Sequence, residues 1–151
     1  MAVEQARSII EHMRNFHKRV SLYYHRLADS TQKQRVKLLL DYMSEHEQRL
    51  ANCIRDYEET ASTSILNTWF QTASNTDAGK SLQDIELGPN QSVDDIIYLG
   101  IQVSECVLVV YRNLADQAEP ESVQQVFANL LRMEENAQKQ FTRDAGRLAD
   151  I

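Results

Sequence analysis

Three ionisable residues stand in this chain where the rest of their helical stripe is apolar or aromatic. One stripe runs Val36, Leu40, Met43, Glu47, Leu50, Ile54 and Tyr57, in alternating steps of four and three. A second runs Val123, Phe127, Leu130, Glu134, Ala137, Phe141 and Leu148. A third, Ile10, Met13, Val20, Tyr24 and Leu27, has His17 in its remaining place. Residues at such steps share one face of a helix, so each stripe carries one titratable group toward a core. Two carboxylates meeting in an apolar interior cannot both ionise cheaply. Either one of them takes a proton, or His17 neutralises them as an imidazolium. Tyr24 and Tyr111 are expected one or two turns away as hydrogen-bond donors.

The elements that would carry these groups read as four helices, at about 3–28, 32–59, 93–117 and 120–149, with a crossover over 61–91. The whole chain, 1–151, reads as a single all-α domain. Thr31 with Gln34 is a capping-box signature for the second start, and so short a connection makes the first two helices antiparallel neighbours. Pro89, Asn90 and Ser92 mark the third start, and Pro120 suits the first turn of the fourth. Between Ala61 and Gln91 the periodicity fails, and the apolar island Ser64 to Phe70 reads as a short helix or a lid. A connection of that length is too long for a hairpin loop and suits a crossover along a bundle. The third helix is apolar over far more than one stripe, since Leu99, Val103, Val109 and Val110 cannot all face one core. Its surplus must meet the crossover or a second copy of the chain, and a homodimer through either is expected.

The first half of the chain returns in the second. Tyr24-His25-Arg26-Leu27-Ala28-Asp29 recurs as Tyr111-Arg112-Asn113-Leu114-Ala115-Asp116, an offset of 87 residues. The same offset pairs Ile10 with Ile97, Val20 with Val107, Leu40 with Phe127 and Glu47 with Glu134. The chain therefore reads as two copies of one helical hairpin.

Composition sets the remaining bounds. Four Gly and two Pro in 151 residues, with 42% hydrophobic residues, favour helix. The formal charge of −6 argues against nucleic acid as a partner. The opening Met-Ala-Val-Glu-Gln-Ala-Arg lacks a signal peptide's apolar core. No segment reaches the ~18 uninterrupted apolar residues of a membrane span, so no membrane partner is expected. Cys53 and Cys106 have no CxxC spacing. They read as small, mostly buried hydrophobes in a reducing cytoplasm.

Two antiparallel hairpins joined by one long crossover resemble the ferritin-like four-helix bundle, and the residues are similar to those of rubrerythrin and bacterioferritin. That family sets a metal-binding Glu seven residues before the Tyr of a Tyr-x-x-(Leu/Phe)-Ala motif on its first and third helices. On its second and fourth it sets Glu-x-x-His, seven residues after an apolar anchor. Here the corresponding positions hold His17 and Ser104 on the first and third helices. Glu47 with Leu50, and Glu134 with Ala137, hold those on the second and fourth. The resemblance thus implies a di-iron site of which two Glu survive, one Glu is exchanged for His, and three ligands are gone. Two Glu and one His cannot hold two bridged ions.

Three readings of His17, Glu47 and Glu134 follow. One is a metal-free relic with no cofactor, which makes the protein a non-enzymatic scaffold or interaction member of the family. Another is a single iron, manganese or zinc ion on one imidazole and two carboxylates, serving an oxygen- or peroxide-handling enzyme or a metal-binding protein. The last is a register shifted by one residue, which brings in His46 or Glu135. The expectation adopted is the metal-free scaffold.

Overall fold

The computed structural model describes residues 2–72 and 91–150. In chain order they form β1 (Ala2–Gln5), α1 (Ala6–Ser30), α2 (Gln34–Thr60), α3 (Thr63–Leu66), β2 (Trp69–Thr72), α4 (Val93–Gln117) and α5 (Glu121–Ala149). The described residues are mostly helical, with one small two-stranded sheet. No helix among them is long and apolar enough to cross a membrane.

Side-chain bonds fix how the helices run. His17 meets Glu47 while Ser21 meets Ser44, so contacts advance along α1 as they retreat along α2. The same reversal appears in Tyr57–Asn129 and Tyr42–Asp144 between α2 and α5. Between α4 and α5, Ser104 meets Gln138 while Gly100 faces Phe141. Each of these three pairs is antiparallel. The core they enclose runs from Ile10, Met13 and Phe16 through Leu40 and Met43 to Val107, Tyr111 and Phe127, all at most 1% exposed. Burying such side chains contributes about 1.5–3 kcal/mol each, which outweighs the weak caps at most helix ends.

Several expectations are corrected. Residues 3–5 are not helical: β1 pairs antiparallel with β2, Glu4 opposite Phe70 and Gln5 opposite Trp69. Those backbone bonds supply the partners a first helical turn would leave unmade, and α1 starts at Ala6. Thr31 does not cap α2. It is the C-cap of α1, and its hydroxyl accepts from the backbone N–H of Lys33, the residue that stands at the N-cap of α2. The capping box lies instead at Ser92, whose hydroxyl accepts from Asp95 N–H while the Asp95 carboxylate accepts from Ser92 N–H. Cys53 is exposed rather than buried, and Cys106 is intermediate.

The apolar island resolves into α3 and β2. Leu66 and Phe70 are buried while Trp69 is 63% exposed, and the Phe70 ring lies 5.8 Å from that of Phe127. The rest of the expected crossover, 73–90, lies outside the described residues. On α4, Leu99, Val103, Leu108 and Val110 are all buried, leaving Val109 (49%) and Tyr98 (62%) as its exposed large apolar side chains.

Candidate functional site

His17 on α1, Glu47 on α2 and Glu134 on α5 come together at the centre of the bundle. Their exposures are 1%, 5% and 4%, so three titratable groups share one buried interior. The imidazole lies between the carboxylates. Nδ1 is 2.5 Å from Glu47 Oε2, and Nε2 is 2.8 Å from Glu134 Oε1. With both carboxylates ionised, filling both contacts requires a proton on each ring nitrogen, and the imidazolium is the form that has them. Burial by itself pushes the imidazole pKa down. The negative charges of Glu134 and Glu47, with the hydrogen bonds to both, outweigh that and raise it to about 10. Of the two routes to a tolerable carboxylate pair, the raised His17 pKa favours the imidazolium, which offsets one of the two negative charges.

Local structure aims these groups. One turn from His17, Ser21 Oγ donates to the Ser44 carbonyl at 2.7 Å, and Ser44 Oγ donates to the Ser21 carbonyl at 2.8 Å. This reciprocal clamp sets the register that puts Glu47 opposite His17. Tyr42 Oη donates to Asp144 Oδ2 at 2.9 Å, and Asn129 Nδ2 donates to Tyr57 Oη at 3.2 Å, so α2 and α5 are held on either side of the triad. The edge of the Phe16 ring packs against His17, centroids 5.8 Å apart.

Beside the triad is a small cavity, with about 10 Å³ open to the centre of a water-sized guest. Tyr24, Met43, His46, Gly100, Ser104 and Gln138 are among the residues that line it together with the triad. Ser104 Oγ donates to the Ile101 carbonyl and accepts from Gln138 Nε2, which also donates to Glu105. His46 does reach this layer, as a wall: its ring stacks on Tyr42 and leans on Phe141. Burial lowers its pKa, so it is the neutral imidazole of the pair. Glu135 is half-buried and does not line the cavity. Gly100 and Gln138 were not singled out in the sequence. For Gln138 the signal was present, four residues after Glu134 and thus on its face.

The tyrosines depart from expectation. Tyr24 and Tyr111 are 1% and 0% exposed, yet neither hydroxyl has a hydrogen-bond partner among the described residues. Burial raises both phenol pKa values well above the ordinary range, aided by the charge of Glu47 near Tyr24 and of Glu134 near Tyr111. The phenols are therefore close enough to feel the carboxylates but do not donate to them.

The metal centre implied by the resemblance does not fit the residues as arranged. The two ring nitrogens of His17 point away from each other, so an ion on one would have only one carboxylate on its side. A carboxylate oxygen 2.5 Å from Nδ1 also leaves no place for an ion there, since imidazole–metal bonds are themselves about 2.0–2.1 Å long. Among the described residues no group of three or more His, Cys, Asp and Glu side chains is disposed to hold a metal. Comparison with protein-family models, with curated proteins and with solved structures finds no match to this chain.

Proposed function

We propose that the protein is a ferritin-like bundle without a metal centre, working as a non-enzymatic scaffold or interaction protein. The observation that carries this reading is His17 lying between Glu47 and Glu134 with one nitrogen to each. A single proton-bearing ring here places one positive charge between two carboxylates and hydrogen-bonds to both. Two antiparallel hairpins, α1 with α2 and α4 with α5, on either side of the long connection support the ferritin-like layout. The duplication is supported by matched burial at the 87-residue offset: Val20 and Val107, Tyr24 and Tyr111, Leu40 and Phe127, Glu47 and Glu134 are all buried. We place the protein in a reducing cytoplasm and pair it with a second copy through α4.

The test is metal content together with thermal melts of protein purified without chelator, with and without subsequent chelator treatment. The expected result is a substoichiometric metal content and a melting temperature that chelator leaves unchanged. Stoichiometric iron, manganese or zinc, removed with a loss of stability, would replace this reading with the single-ion one, because metal binding free energy is then part of folding free energy.

A further inference from the structure

We propose that one water molecule is a permanent fourth member of the polar core, bound in the cavity by Tyr24, Glu47 and Glu134. Three observations meet there. The Tyr24 hydroxyl is a donor with no partner among the described residues, it lies within a side chain 1% exposed, and Tyr24 lines the cavity. His17 uses Glu47 Oε2 and Glu134 Oε1, which leaves Glu47 Oε1 and Glu134 Oε2 as acceptors on residues that line the same cavity. The space, about 10 Å³ for the guest's centre, is that of a single water.

The donor and acceptor inventory selects the guest. Tyr24 Oη–H needs an acceptor, and the two free carboxylate oxygens need donors. Water accepts one hydrogen bond from Tyr24 and donates its two protons to the carboxylates, which makes the three bonds typical of an internal water. A monovalent cation of the same size would suit the carboxylates but would leave the Tyr24 proton without an acceptor. Leaving such a donor dry is costly, so water fits on both counts. Tyr111 is a built-in control. Its hydroxyl is also buried without a partner among the described residues, but Tyr111 does not line the cavity. The inference rests on the triad's geometry and does not depend on the scaffold reading.

Proton NMR of the full-length protein tests this through cross-relaxation between water and the Tyr24 ring, with oxygen-17 relaxation dispersion counting long-lived waters. The expected result is one long-lived water near Tyr24 that is lost in Tyr24→Phe and kept in Tyr111→Phe. Should Tyr24→Phe not fold, Ala137→Val, which adds two methyl groups at another residue lining the cavity, is expected to expel the same water. No long-lived water in the wild-type protein, or one that survives Tyr24→Phe or Ala137→Val, overturns the proposal. So does a melting temperature that depends on the identity of the monovalent cation, sodium, potassium or ammonium, at fixed ionic strength and is no longer so in Glu134→Gln.

Discussion

His17 is the residue on which the interior depends, because it answers two buried acceptors with one ring. Its folded pKa of about 10 lies above the ordinary 6.5, so the folded state holds a proton that the unfolded chain releases. The stabilisation is therefore fully present below pH 6.5 and is lost as pH rises toward 10. Chemical denaturation from pH 6 to 10 should show stability falling by up to about 1.4 kcal/mol per pH unit relative to a His17→Gln reference, which lacks the titration. At pH 7, His17→Ala should lower stability by roughly 3–5 kcal/mol, since it leaves two facing carboxylates without their partner. If the wild-type and His17→Gln curves run parallel across that range, the imidazole is not the protonated centre described. Replacing both Glu47 and Glu134 by Gln would relieve a bare carboxylate pair. In this arrangement it instead removes the charges that keep His17 protonated, and the pH dependence above 6.5 should vanish.

At the scale of elements, helix starts and close approaches decide what can change. The capping box at Ser92 satisfies two backbone donors of α4, so Ser92→Ala is expected to destabilise by about 1 kcal/mol. Thr31→Ala, outside any capping box, should fall within ~0.5 kcal/mol of wild type. Paired urea melts of the two variants check the contrast. Gly100 sits in the middle of α4, where alanine would ordinarily gain about 1 kcal/mol of helix propensity. Here an added Cβ would lie 2.5 Å from Phe141 Cζ and 2.9 Å from Met43 Cε. The Phe141 ring is wedged against His46 and Tyr42 and cannot simply swing aside. Gly100→Ala is therefore expected to lower stability by roughly 1–3 kcal/mol, read by thermal or urea unfolding, with overpacking overriding propensity.

For the whole molecule the open question is what meets the outer face of α4. Tyr98 and Val109, both exposed, are eleven residues apart and thus nearly in line on the helix. Light scattering at micromolar concentration is expected to give a dimer. Tyr98→Asp with Val109→Asp should then give a monomer whose melting is nearly unchanged in dilute solution, as exposed positions tolerate charge. A wild-type monomer would remove α4 as an interface. The inner face of the molecule leaves less freedom, because α3 and β2 plug it with Leu66 and Phe70.

Much of this was legible in the residues alone. Stripes of period 3.6 fix which face of a helix turns inward, so the burial of Met43, Glu47, Leu50, Phe127 and Glu134 follows from spacing, and Gly and Pro content already made the chain helical. What spacing leaves undetermined is how one helix slides and rotates against another. The Ser21–Ser44 clamp sets that slide between α1 and α2. Only with it in place does the His17 ring lie between the carboxylates rather than beside one of them. The β1–β2 pairing was illegible for a related reason. A four-residue strand has too little periodicity to announce itself, and its partner lies more than sixty residues away. Sequence determined which titratable groups enter the core. Tertiary contacts decided that His17 would hold both carboxylates and that Tyr24 would face the cavity, because hydrogen-bond geometry depends on distances between helices that no single helix encodes.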